Sequence, residues 1–274
     1  MGERTTISWT QSTWNPWIGC RKVSPGCAHC YAETLVQRMG KSFREIRRAQ
    51  ATTFFAPLRW KSPRRVFSCS ISDFFIEEAD AWRDEAWEII RKTPRHTYQI
   101  LTKRPERIHD HLPTTCFKCG VGPYGAHVRM EIEFRESHGF KGWPWKNVWL
   151  GTSVENQKYA ELRVPRLVST LAVVHFLSCE PLLGSIDFGI KYLASERAGT
   201  ALRSNGLLSD IEWVICGGES GPEFRPMNLD WARSIRDQSL AAEVPFFFKQ
   251  SSGQRSEMHP VLDGREWREM PLNG

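Results

Sequence analysis

Runs of apolar, β-branched and aromatic residues recur along the chain, and each is followed by a stretch in which apolar residues return every three to four positions. The runs fall at residues 65–70, 97–102, 147–151, 173–178, 211–216 and 245–249. They are continuous rather than alternating, as expected of strands covered on both faces. Between them three helices are predicted. Residues 79–92 carry Trp82, Ala86, Ile89 and Ile90 on one face, residues 156–169 carry Tyr159, Leu162 and Leu167, and residues 230–242 carry Trp231, Ile235 and Leu240. Residues 31–48 also read as helical, with Gly40 a weak point. Alternation of this kind predicts a parallel sheet, either a barrel or a doubly wound open sheet.

Two stretches break the rhythm. Residues 111–145 are rich in glycine, contain Cys116 and Cys119, and show no crossover pattern; residues 190–210 are polar and aperiodic. The chain therefore reads as one domain over 1–274, with an inserted Cys/His-containing element at 109–146 and a surface insertion at 190–210. There is no internal repeat and no low-complexity tract.

Polar residues gather just after the strands. Ser70, Ser72 and Asp73 follow the first; Thr102, Lys103 and Arg104 the second; Thr152, Ser153 and Glu155 the third; Glu180 the fourth. Gly217, Gly218, Glu219 and Ser220 follow the fifth, and Lys249 and Gln250 close the sixth. Parallel α/β folds place their active sites at the carboxyl ends of the strands. Any one of these residues reads equally well as a cap or turn; the set predicts an enzyme's rim.

Composition narrows the setting. The 274 residues are 41% hydrophobic and 25% charged, ordinary for a globular chain. No apolar run is long enough to span a bilayer, and the polar N-terminus has no signal-peptide stretch. The expectation is a soluble cytoplasmic protein with no membrane partner. A formal charge of +6 is compatible with a nucleic-acid partner without requiring one. Most of the twelve tryptophans are expected in the core. Five of the eight cysteines lie in two tight groups, which in a reducing compartment points to metal or catalysis before disulfides.

The first group is Cys20, Cys27 and Cys30, spaced C-x6-C-x2-C around Pro25 and Gly26. Three thiolates on a short loop suit three irons of a [4Fe–4S] cluster and leave the fourth iron open. The amino and carboxylate groups of S-adenosylmethionine (SAM) chelate such an iron. One electron from the cluster then splits the sulfonium and releases a 5′-deoxyadenosyl radical, which the protein must position and shield. A zinc site is the rival reading, but it wants a fourth ligand, and His29 is constrained between Cys27 and Cys30. Simple buried thiols leave three cysteines in eleven residues unexplained.

The wider motifs carry a resemblance. They are Ile7-Ser-Trp-Thr-Gln-Ser-Thr-Trp-Asn-Pro-Trp-Ile-Gly-Cys20, Val-Ser-Pro-Gly-Cys27 and Cys30-Tyr-Ala-Glu33, then Ser70-Ile-Ser-Asp-Phe-Phe75, Gln99-Ile-Leu-Thr-Lys-Arg-Pro-Glu106 and Asn147-Val-Trp-Leu-Gly-Thr-Ser-Val-Glu155. Phe176-Leu-Ser-Cys-Glu-Pro-Leu-Leu-Gly184, Val214-Ile-Cys-Gly-Gly-Glu-Ser-Gly-Pro222 and Pro245-Phe-Phe-Phe-Lys-Gln250 complete the set. The chain resembles the three-Cys-motif phage protein family, a radical-SAM-like group of unassigned function found in phages and bacteria. The resemblance implies a radical-SAM-type partial (β/α) barrel of parallel strands, with insertions and with the cluster loop after the first strand. Radical SAM enzymes usually space the motif C-x3-C-x2-C, and this chain departs from that spacing. By the same resemblance His29 stands where an aromatic residue approaches the adenine, and Ser153 and Glu155 are placed to bind the ribose hydroxyls. The Gly-Gly-Glu stretch that meets the methionyl amine normally follows the second strand. Here Gly217, Gly218 and Glu219 follow a late one, so Ser70 and Asp73 are alternative amine-binding groups and the glycines an alternative substrate contact.

Cys179, Lys103 and Glu180 are the candidate catalytic residues. A strand-end thiol at Cys179 could return a hydrogen atom to a substrate radical, against the blander reading of a small core residue. Lys103 and Arg104 suit a phosphate or carboxylate, or a solvated turn. Arg225 suits an acidic partner close to Glu219, and His175 reads as a satisfied core histidine. Cys116 and Cys119, with His109, His111, His127 and His138 nearby, form a zinc-type donor set whose histidine spacing matches no standard finger; an unligated loop is the alternative. A zinc knuckle there would suit nucleic acid. The expected function is reductive SAM cleavage and hydrogen abstraction from a substrate such as a nucleic-acid base, with an external electron donor; the resemblance further implies a protein partner encoded nearby. The alternative is a non-catalytic metal-binding module that grips nucleic acid.

Overall fold

The computed structural model describes residues 4–113, 143–194 and 201–271, with backbone alone for 191–194 and 201–203. Its centre is a seven-stranded sheet: β1 (Ser12–Trp14), β2 (Arg65–Ser68), β3 (Thr97–Thr102), β4 (Val148–Ser153), β5 (Val174–Cys179), β6 (Trp213–Gly217) and β7 (Phe246–Gln250). Every neighbouring pair is parallel, and the strands lie in chain order from β1 to β7. A doubly wound sheet reverses its strand order at a switch point. This one never does, which leaves the barrel side of the two sequence alternatives. No ladder joins β7 to β1, so the barrel is open.

The curl is visible in one side chain. Trp9, just before β1, has its ring centroid 4.6 Å from Phe67 on β2, 6.4 Å from Phe176 on β5 and 6.1 Å from Trp213 on β6. Four strand spacings separate β2 from β6, about 19 Å in a flat sheet. The sheet must wrap for one ring to reach both. Trp9, Phe67, Trp149, Phe176, Trp213 and Phe247 fill this concave interior.

Strand alternation sends the other side chains outward. Val66, Ile100, Leu150, Leu177, Val214 and Phe248 join one larger core with residues of the flanking helices. Whereas α1 (Tyr31–Arg38) packs on a separate small core with Ile18, Phe43 and Ile71, those helices are α2 (Asp80–Lys92), α3 (Gln157–Val168) and α4 (Leu229–Ala241). Trp87 and Ile90 of α2, Val164 and Leu167 of α3 and Ile235 of α4 pack there. The side chains of Asn156 and Asn228 cap α3 and α4, accepting from Tyr159 N at 3.3 Å and Asp230 N at 2.9 Å. At Gly151 on β4 the interior leaves no room for a side chain: a Cβ there would lie 2.5 Å from the Phe176 ring.

One expectation needs correction. The helix predicted over 31–48 ends at Arg38; Gly40 takes a left-handed φ of +69°, and the chain then forms a short strand, Arg47–Arg48, antiparallel to Trp17–Ile18. The 190–210 insertion carries regular structure of its own. Lys191–Ala194 and Ala201–Ser204 pair as an antiparallel hairpin, followed by a 3-10 turn at Gly206–Leu208. Residues 114–142, with Cys116, Cys119, His127 and His138, lie outside the described residues. Among the described residues no helix is long and apolar enough to cross a membrane.

Candidate functional site

The cysteine loop leaves β1 and lies across the carboxyl ends of the strands. Its entry is fixed by Asn15, fully buried, whose Oδ1 accepts from Ile71 N at 3.0 Å while Nδ2 donates to Ser70 Oγ at 3.0 Å. Ser72 Oγ donates to Gly19 O at 2.5 Å, and Cys20 N donates to Phe43 O at 2.9 Å. At its exit Tyr31 OH donates to Ser70 O at 2.6 Å. Lys22 closes the loop on itself, donating to Ala28 O at 3.1 Å and pairing with Glu33 at 2.9 Å. Ser70 and Asp73 thus act on the loop and its neighbours in this structure.

Three anchors tie the loop to three different strand ends. Beyond β3, Arg104 points one guanidinium nitrogen, Nη1, at the Cys20 sulfur (3.8 Å) and at Asp73 Oδ2 (3.0 Å), while Nη2 donates to Arg21 O at 3.0 Å. Asp73 is itself saturated: it accepts from Thr102 Oγ1 at 2.7 Å, Phe75 N at 2.9 Å and Lys103 N at 2.9 Å. Beyond β4, Glu155 has no solvent exposure. Its Oε1 accepts from Ser24 at 2.5 Å and Arg163 at 3.3 Å, with Lys103 Nζ 3.5 Å away, while its Oε2 is buried without a hydrogen-bond partner. Gly26 is packed so closely on this carboxylate that a Cβ would lie 2.6 Å from it. Beyond β6, Glu219 forms a forked pair with Arg225, whose Nη2 reaches over to donate to Pro25 O at 3.0 Å. His29 Nδ1 lies 3.4 Å from Glu219.

A second group lies at the ends of β5, β6 and β7. Glu180 follows β5 with a cis peptide to Pro181, pairs with Lys249 Nζ at 2.9 Å and accepts from Ser178 Oγ at 3.2 Å. Gly217 leaves room for it, since a Cβ there would stand 2.7 Å from Glu180 Oε1. Gly218 and Gln250 clasp β6 to β7, N to O at 3.1 Å and Nε2 to O at 2.9 Å. Ser153, buried at the end of β4, gives its carbonyl to Arg163 at 2.8 Å.

The three loop thiols are free and half-buried. Burial, aided by the charge of Asp73 and opposed by Arg104, pushes the Cys20 thiol up to about 12; burial also pushes Cys30 up. Ligation at Cys20 and Cys30 must therefore displace their protons. Cys27 acts electrostatically on both of the others. Among the described residues no three His, Cys, Asp or Glu side chains converge tightly enough to hold a metal ion. Glu219 is held below the usual carboxylate range: burial works against this, but the Arg225 hydrogen bonds and charge outweigh it.

Sequence reasoning brought Cys20, Cys27, Cys30, His29, Ser70, Asp73, Lys103, Ser153, Glu155, Glu180, Gly217, Gly218 and Glu219 to this rim, and all lie there. Cys179 does not face it. Its side chain is fully buried in the helix-side core with Leu177 and Cys216, where burial raises its pKa, and the reading as a small core residue describes its place. His175 is satisfied as expected, its ring nitrogens 2.7 Å and 3.1 Å from the carbonyl oxygens of Thr170 and Asp210. Arg163, Asn15 and Tyr31 were missed. Arg163 sits inside an amphipathic helix and looks like any surface arginine in sequence, yet it is 3% exposed and bonds the strand end.

No curated protein and no solved structure matches the chain. A family model does, over residues 4–271, and it is described as a protein of unknown function, DUF5131. This span takes in the whole barrel and the cysteine loop, and the chain belongs to that family.

Proposed function

We propose that the chain is a radical SAM enzyme that carries a [4Fe–4S] cluster on Cys20, Cys27 and Cys30. The observation that carries this reading is the seating of a three-thiol loop on the carboxyl ends of β3, β4 and β6, over the mouth of an open parallel barrel. Parallel barrels do their chemistry at that end. The donor set fits: three free thiols and no fourth on the loop. One thiolate per iron suits donors spread along a loop, whereas a single zinc needs four donors converged at about 2.3 Å. Bound there, such a cluster supplies one-electron reductive cleavage of a sulfonium.

The chain's own residues position and shield. Arg104 fixes the Cys20 side of the loop, Ser24 and Glu155 fix the middle, and Arg225 fixes Pro25. The aromatic interior below the rim closes the barrel to water. His29, Ser153 and Glu219 stand at positions suited to the adenosyl and methionyl groups of SAM, and the Glu180–Lys249 pair flanks the same mouth as a site for substrate polar groups.

The test is anaerobic: reconstituted protein, SAM and dithionite, with 5′-deoxyadenosine measured by chromatography. Release of 5′-deoxyadenosine that depends on all three cysteines supports the reading. Intact SAM in the presence of a fully loaded cluster rejects it.

A further inference from the structure

The segment after the third cysteine has an outer face of which the site uses only the Tyr31 hydroxyl, bonded to Ser70 O. Between Thr34 and Arg48 five cationic side chains stand against one carboxylate, Glu45. The inner face of this segment is apolar: Ala32, Val36 and Phe43 form a small core with Ile18 and Ile71, and Cys20 and Cys30 pack against it. That core dictates which side chains point out. Arg38, Lys41 and Arg44 are exposed, and none has an ion-pair partner among the described residues. The cations of the rim behave differently, for Lys103, Arg104, Arg225 and Lys249 each meet a carboxylate. Along α1 and its cap residue, Tyr31, Leu35 and Met39 are exposed at four-residue spacing, 49%, 40% and 43% accessible, and Arg38 falls on the same helical face. The face is laced to the site, because Cys20 N bonds Phe43 O and Arg47–Arg48 pairs with Trp17–Ile18.

We propose that this outer face binds single-stranded nucleic acid, with Arg38, Lys41 and Arg44 following the phosphates and the Tyr31 ring, next to Cys30, taking an unpaired base. Cations beside an exposed aromatic ring are the two elements that single-strand binding combines. A duplex would not use the ring, since its bases stack on one another. The proposal rests on the radical SAM reading for its consequence, which is a nucleic-acid substrate presented at the cysteine loop; the binding itself does not depend on a cluster.

The experiment is fluorescence anisotropy of a labelled 20-nucleotide oligo(dT) with the full chain, before and after iron–sulfur reconstitution. Wild type should bind in both forms and weaken with salt. Arg38→Glu/Lys41→Glu/Arg44→Glu should weaken binding at low salt by about tenfold or more and make the slope of log affinity against log salt shallower by about 2, as three lost phosphate contacts require. Tyr31→Ala should weaken it by roughly fivefold or more, and Tyr31→Phe should bind like wild type. Arg265→Glu/Arg268→Glu, near the opposite end of β7, is the charge-reversal control and should bind like wild type. Thermal unfolding of each variant confirms that it is folded. Unchanged binding by the triple variant, equal displacement by polyglutamate of the same charge, or equal affinity for a duplex overturns the proposal. Iron uptake, read on the same samples, reports separately on the cysteine loop.

Discussion

Arg104 Nη1 stands 3.8 Å from the Cys20 sulfur, although the two residues are 84 positions apart. Arg104 is 7% exposed, and its guanidinium is held there by Asp73, a residue 5% exposed whose carboxylate accepts from three other donors. A buried arginine fixed by a saturated aspartate has little freedom, so the charge beside Cys20 is preorganised. An N–H directed at a ligand sulfur stabilises the more negative, reduced state of a cluster. Arg104→Leu is expected to lower the midpoint potential of the reconstituted protein, measured by redox titration, while Arg104→Lys falls between it and wild type.

Asp73→Ala leaves that guanidinium buried and unpaired. Breaking one partner of a buried pair costs about 3–5 kcal/mol. Denaturant unfolding should show a loss of that size, larger than for Glu88→Ala, whose pair with Arg91 at 2.7 Å is exposed and belongs to a class worth under about 1 kcal/mol.

Gly26→Ala should act on the loop alone. The new methyl would stand 2.6 Å from the Glu155 carboxylate, which is fully buried and bonded to Arg163 and so has nowhere to go. The loop must lift from β4, at a cost of about 1–3 kcal/mol. Circular dichroism should show an intact barrel, and iron uptake should fall. Gly151→Ala is the counterpart in the core: its methyl meets the Phe176 ring at 2.5 Å, so global stability should fall by a similar amount.

Acid should destabilise the chain through Glu219. Its folded pKa is depressed below the unfolded value near 4.5, so the folded state binds its proton less readily than the unfolded chain. That contribution is fully present above 4.5 and is lost as pH falls through the depressed value. Glu219→Gln should remove this part of the acid limb, read as a smaller drop in melting temperature between pH 5 and pH 3.

Much of the barrel is legible in sequence because its strands are buried on both faces and so read as unbroken apolar runs. β1 escapes, since Ser12-Thr13-Trp14 is too short to carry a pattern. The curl is not legible at all; it depends on where the Trp9 ring lands among Phe67, Phe176 and Trp213, residues drawn from strands far apart in sequence. The rim was found because polar residues follow each strand. Its wiring was not, because Ser24–Glu155 and Arg225–Pro25 join positions 131 and 200 residues apart. Cys179 stayed open between rim and core for a simpler reason: strand alternation turns it to the helix side, and one residue of register decides that.

The most direct measurement is iron content after oxygen-free reconstitution, for wild type and for Cys20→Ala, Cys27→Ala and Cys30→Ala. The account predicts about four irons per wild-type chain and a marked loss in each variant, with the four-iron spectrum gone. Variants that keep their full iron, or a wild-type chain that takes up stoichiometric zinc and no iron, would contradict it.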